Sequence, residues 1–234
     1  MIQPIYTYSI QYAFLIFISF SFIGWCAEVL YVGIFFEHKF VNRGFLHGPI
    51  CPVYGFGGVA ILCLPANILS SWVPLFFASM IFATTVEYLA SWILEKAFHT
   101  LWWDYSDLKF NIHGRVCLLN SLLFGAMGIL VVHFAEPLIL NIISLLKGNW
   151  LFVVSHCIAI ILGCDILITV RRLIDFNVAM EKLSAIHISH IEKFQDINKN
   201  VEFFLKKFPT LKNAQYKDVI AHLKQKLKER TKRA

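Results

Sequence analysis

Residues 150–170 read WLFVVSHCIAIILGCDILITV, an apolar run whose one charged side chain is Asp165. A bilayer core is crossed by about 20 apolar residues of α-helix, so this stretch predicts a membrane-spanning helix and sets the fold class. Four more segments meet or nearly meet that length: residues 8–36, 53–69, 72–98 and 116–134. The expected architecture is all-α, a polytopic membrane helix bundle of about five spans. The first segment has no basic leader and is too long for a cleavable signal, so it is expected to stay as a helix. Residues 136–146 open on Glu136-Pro137 and are apolar but short. They predict a surface-lying or half-inserted helix, with a sixth span as the alternative.

Composition agrees. Of 234 residues, 58% are hydrophobic and 15% charged, against roughly 25% charged in a soluble domain. That balance excludes a water-soluble globule and intrinsic disorder, and the length excludes a small secreted disulfide scaffold. Charge is unevenly placed. Residues 1–172 hold eight Lys or Arg and eight acids, whereas residues 173–234 hold 13 bases and seven acids, so the whole net charge of +6 belongs to the tail. Two domains are expected, a transmembrane body over 1–172 and a basic cytoplasmic helical tail over 173–234. The basic tail suits an anionic lipid surface. It lacks the aromatic-interleaved pattern of a nucleic-acid reader, and no nucleic-acid partner is expected.

Orientation follows from the placement of Lys and Arg. With five spans and a cytoplasmic tail, the N-terminus is outside. Lys39, Arg43, Lys96, Lys109, Arg115, Arg171 and Arg172 then all fall inside, and Lys147 alone lies outside. The second span is the irregular one. Residues 42–58 read NRGFLHGPICPVYGFGG, with two prolines and five glycines set against a regular helix. Two readings fit: non-helical backbone at membrane depth, tolerated only against protein or a water-filled cavity, or a hinge loop at the interface.

Three carboxylates fall inside predicted spans, Glu28, Glu87 and Asp165, and Glu95 lies near the inner end of the third. An ionised group at the bilayer centre costs roughly 3 kcal/mol on insertion scales, so each is expected to face the bundle interior and find a partner. Glu87 and Glu95 are eight apart, near two helical turns, and share a face with Ser91. Arg43 and Arg115 are placed by depth to pair with Glu28 and Glu95. The arrangement is either a polar cavity open to the cytoplasm, for a substrate or coupling ion, or an ion-pair network that fixes helix register. The third-to-fourth connection, residues 100–115, carries Trp102, Trp103 and Tyr105, which an interfacial anchoring belt accounts for. Asp104, Asn111 and Arg115 are left to cap helices or touch a ligand.

Six cysteines show no CxxC pair and no Cys/His ligand spacing, so no metal site is expected. His47 and His113 sit beside Arg43 and Arg115, where an acid/base role is conceivable without support from spacing. No Walker A sequence, dinucleotide fingerprint or GxSxG elbow is present, and no cofactor is expected. Any use of nucleotide then falls to a separate subunit. In the tail, Leu173, Phe176, Met180, Leu183, Phe194, Ile197, Val201, Phe204 and Phe208 recur by threes and fours, with His187 and His190 in the gaps. That stripe predicts a coiled coil dimerising the chain, or a helix folded on the body. Residues 215–230 predict a basic amphipathic helix for the membrane surface or a partner.

Several motifs occur in order. They are Trp25-x-x-Glu28, Asn42-Arg43-Gly44-Phe45-Leu46-x-Gly48-Pro49-x-Cys51-Pro52-x-Tyr54-Gly55-x-Gly57, Glu87-Tyr88-x-x-Ser91-Trp92-x-x-Glu95, Trp102-Trp103-Asp104-Tyr105-Ser106 and Phe110-Asn111-x-x-Gly114-Arg115. Over about residues 10–170 the chain resembles the ABC-transporter type IV family, also called CmpB-like. The resemblance implies a permease-like transport component in the cell membrane, working with a separate nucleotide-binding ATPase. Beside it stand an intramembrane enzyme acting on a lipid-like substrate through a carboxylate and His47 or His113, and a membrane scaffold or sensor dimerising through its tail.

Overall fold

The structure is a computed structural model that describes residues 3–34, 42, 44–98, 100–185, 201, 204–205 and 219–225. Its helices are α1 (Ile10–Val32), α2 (Pro52–Leu62), the single turn α3 (Ala66–Leu69), α4 (Trp72–Phe98), α5 (Leu118–Leu130), α6 (Glu136–Ile143) and α7 (Trp150–Ala185). A short antiparallel hairpin, β1 (Asn111–Ile112) with β2 (Val116–Cys117), joins α4 to α5. Among the described residues, four helical runs are long and apolar enough to cross a membrane: Ile10–Leu30, Trp72–Phe98, Leu118–Ser144 and Trp150–Lys182.

Two differences from the sequence reading have physical causes. The expected second span is not one long helix. It is α2, 11 residues long and so about 16 Å at 1.5 Å per residue, followed by Pro65 and the turn α3. Conversely, residues 136–143 do not leave the fourth span as a separate surface helix. Pro137 has no N–H, and its ring would press on the carbonyl four residues back. The helix widens into a π-turn over Val131–Ala135, in which the Glu136 N–H reaches the Val131 carbonyl, and so it runs on through Ser144.

The chain divides into two compact units, and the described residues of the first are 3–90 and 105–166. Here α2 lies antiparallel on α1, with backbone close enough that only glycine fits at the crossing. A side chain at Gly24 would overlap the Tyr54 ring, and one at Gly55 would overlap Ser21 and Phe17. Cys51 N–H donates to the Ser21 carbonyl at 3.0 Å, so α2 begins about halfway along α1 and the backbone before it reaches that depth unwound. Gly125 and Gly128 of α5 likewise let it close on Phe76 and Ser79 of α4, a small-residue contact suited to lipid, where apolar area alone does not drive helices together. The apolar core gathers at the end of this unit where α1 begins, around Leu15, Ile16, Phe20, Leu62, Leu75, Val132 and Ile139. Outer faces stay apolar and exposed, as at Phe77, Ile81, Leu119, Leu123, Ile160 and Ile161, the surface expected to meet acyl chains.

The second unit, residues 91–104 with those described from Leu167 onward, has its own core. Leu173, Phe176 and Met180 of α7 are buried with Trp102, Val201, Phe204, Leu205, Val219, Ile220 and Leu223. The Phe204 ring centroid is 6.0 Å from Trp102 and 5.3 Å from Phe176. Much of the heptad stripe is therefore covered within the chain, since intrachain packing buries it without the entropic cost of association. Residues 219–225 are helical, and their apolar face is covered as well. Trp102, expected in an interfacial belt, is part of this core. His187, His190 and most of residues 215–230 lie outside the described residues.

Candidate functional site

At the end of the first unit opposite its apolar core, the in-span carboxyls are met by phenols. Glu28, near the last turn of α1, accepts a 2.6 Å hydrogen bond from Tyr54 of α2. Glu87 of α4 accepts one of 3.1 Å from Tyr105, in the connection beyond that helix. The Glu28 carboxyl is near enough to act electrostatically on both Glu87 and Tyr105, so the two pairs form one cluster. Burial, with the Glu87 carboxyl added to it, pushes the Tyr105 phenol far above its ordinary range, and Tyr105 stays a proton donor at any physiological pH. The second carboxyl oxygen of Glu87, Oε2, is buried and has no hydrogen-bond partner among the described residues. A buried acceptor without a partner is costly.

The backbone beside this cluster is unwound and held by side chains. Trp25 Nε1 donates to Asn42 Oδ1 at 2.8 Å, and the same oxygen accepts Gly44 N–H at 3.1 Å while Asn42 Nδ2 donates to the His47 carbonyl at 3.0 Å. Asp165 of α7 fastens the far side. Its Oδ1 accepts His47 N–H at 3.0 Å and its Oδ2 accepts Gly48 N–H at 2.8 Å. Asp165 therefore answers the question of its partner with two backbone amides, and it acts as a clasp on the segment leading into α2. Charge-assisted hydrogen bonds are worth roughly 1.5–3 kcal/mol each. Asp165→Ala is expected to loosen residues 44–51 and raise the alkylation rate of buried Cys51 by about tenfold or more, read by peptide mass spectrometry. An unchanged rate would show that the segment is held without the clasp.

The other predicted residues are placed as follows. Arg43 lies outside the described residues, and Glu95 and Asp104 belong to the second unit. Asn111 organises the hairpin: its Nδ2 donates to the carbonyls of Ser106 (3.1 Å) and Leu108 (2.8 Å), and its Oδ1 accepts Gly114 N–H (3.1 Å). Arg115 lies over the Tyr88 ring, 5.4 Å from its centroid, and the Tyr88 hydroxyl meets His113 Nδ1 at 3.1 Å. His47 Nδ1 is 3.9 Å from Asp165. Among the described residues no group of His, Cys, Asp and Glu is placed to hold a metal ion. Sequence reasoning missed Tyr54 and Tyr105 as members of the cluster. Both stand inside the quoted motifs, which is the signal the sequence offers, but an anchoring belt also accounts for Tyr105 until its phenol is seen to bond Glu87.

Long apolar helices with exposed apolar flanks and a buried polar cluster define a multi-pass membrane protein. The chain belongs to the family described as Putative ABC-transporter type IV, whose model matches residues 15–170. The match takes in Glu28, Tyr54, Glu87, Tyr105 and Asp165 and leaves the tail beyond it. No curated protein and no solved structure matches the chain.

Proposed function

We propose that the chain is a permease-like transport component whose Glu28–Tyr54 and Glu87–Tyr105 pairs line a cytoplasm-facing polar cavity, with ATP hydrolysis supplied by a separate subunit. The observation that carries this reading is the unwound backbone reaching halfway down α1 beside two carboxyl–phenol pairs. Irregular backbone at membrane depth belongs where it lines a cavity or a binding site. A cavity floored by two carboxyls and two phenols favours a solute that presents a cationic or hydrogen-bond-donating group, which would complete Glu87 Oε2. In this reading residues 42–62 make the second of five crossings, half unwound and half α2, so the N-terminus is outside and the tail cytoplasmic.

The reading is tested by accessibility. A cysteine replacing Glu28, in a chain whose exposed cysteines are changed to serine, is expected to react with a membrane-impermeant cationic thiosulfonate in inside-out vesicles and to resist it in right-side-out ones. Reaction from the outer face only, or from neither face, would contradict a cavity open to the cytoplasm.

A further inference from the structure

We infer that the hairpin joining α4 to α5 is a lipid-insertion element, built to seat Phe110 among the acyl chains of an anionic leaflet. Leu108, Phe110 and Ile112 are exposed, Phe110 by 78% of its surface. Phe110 and His113 both hold positive φ, +54° and +53°, a backbone state that β-carbon-bearing residues adopt at a cost. Asn111 maintains it through its three hydrogen bonds to the loop backbone, so the ring is presented on a fixed turn. An aromatic ring left open to water at conformational cost calls for an apolar environment, and one adjoins it. The hairpin runs directly into α5, whose first residues Leu118 and Leu119 are themselves exposed apolar side chains, continuing the lipid-facing surface.

Charge selects the leaflet. Lys109 is exposed beside Phe110, and Arg115 follows at the hairpin's turn. The one acid among residues 105–117 is Asp107, three residues before the ring. An apolar tip in a stretch with more bases than acids is the composition that binds anionic headgroups while inserting between them. The occupant is thus the anionic lipid surface of the membrane in which the protein sits. This inference does not depend on transport.

The test uses the full chain in nanodiscs, with a nitroxide on Phe110→Cys and Cys26, Cys63, Cys157 and Cys164 replaced by serine. Oxygen and a water-soluble nickel chelate then report the label's surroundings. In phosphatidylglycerol-rich discs the label is expected to collide with oxygen and be shielded from nickel. Lys109→Glu is expected to lower the oxygen-to-nickel ratio by roughly fivefold, the order expected when a basic residue at a charged surface is lost. A label at Leu108→Cys gives the same reading if the first variant folds poorly. Nickel access equal to that of a solvated loop would overturn the inference. So would shielding from both probes, which marks a protein partner on the hairpin, or identical depth in phosphatidylcholine and phosphatidylglycerol, which removes the role of charge.

Discussion

Glu87→Gln is expected to insert, fold and melt like the parent chain while losing most of its activity. The reason lies in what the amide keeps and what it gives up. The carbonyl of glutamine still accepts the Tyr105 hydroxyl, whose bond to Glu87 is 3.1 Å, so the connection beyond α4 keeps its tie to that helix. A neutral amide is also less costly to bury than a carboxylate. What is lost is a carboxyl able to carry charge, and with it the acceptor at Oε2 that has no hydrogen-bond partner among the described residues. If that oxygen meets a cationic or donating group of the solute, its replacement by NH2 removes a charged hydrogen bond and adds a donor facing a donor. Charged hydrogen bonds are worth about 1.5–3 kcal/mol, so ATP hydrolysis coupled to transport in the purified complex is expected to fall by about tenfold or more. Full hydrolysis in the variant would assign Glu87 to helix register alone.

Gly55→Leu is expected to produce the largest loss of stability. Gly55 is where α2 closes on α1, and an added side chain would overlap the Ser21 hydroxyl and the Phe17 ring. Neither can simply swing away. Ser21 is buried and its hydroxyl bonds the Phe17 carbonyl at 2.8 Å, and its own carbonyl accepts the Cys51 amide that starts the helix. Overpacking costs about 1–3 kcal/mol even for small insertions. For a whole leucine the melting temperature in detergent is expected to drop by roughly 10 °C, at a few degrees per kcal/mol for a chain of this size. Gly57→Leu is the control, because nothing lies within 4 Å of a β-carbon added at that position. Equal melting of the two leucine variants would mean that α2 does not rest on α1 as described.

The long helices were legible in the sequence because a continuous apolar run of more than 20 residues has few other uses. The run 72–98 is the same residues in sequence and structure. What composition could not show was how the interrupted segments behave. Around Pro49 and Pro52, helix is abandoned until Cys51, and the freed amides of His47 and Gly48 are taken up by Asp165, 118 and 117 residues away. Around Pro137 the opposite happens, and one π-turn keeps the helix going. Both outcomes depend on which distant groups are at hand to accept or donate, and spacing along the chain is silent on that. The site shows the same division. Glu28 and Glu87 stand out by the cost of burying charge, whereas Tyr105 has an ordinary interfacial use near a membrane boundary and Tyr54 lies among the prolines and glycines of the irregular segment. In the tail, periodicity identified the residues that are buried, among them Phe176, Met180 and Phe204. It did not identify what buries them, because a stripe fits a second copy or its own chain equally well.

The central claim is that this membrane protein is the permease-like part of a transporter driven by another subunit. The most direct measurement is affinity purification of the full chain in mild detergent, with quantitative mass spectrometry of everything that accompanies it. Stoichiometric recovery of a nucleotide-binding ATPase subunit is the predicted result. Recovery of the chain alone, or only with further copies of itself, would contradict the account and turn attention to an intramembrane enzyme or a scaffold.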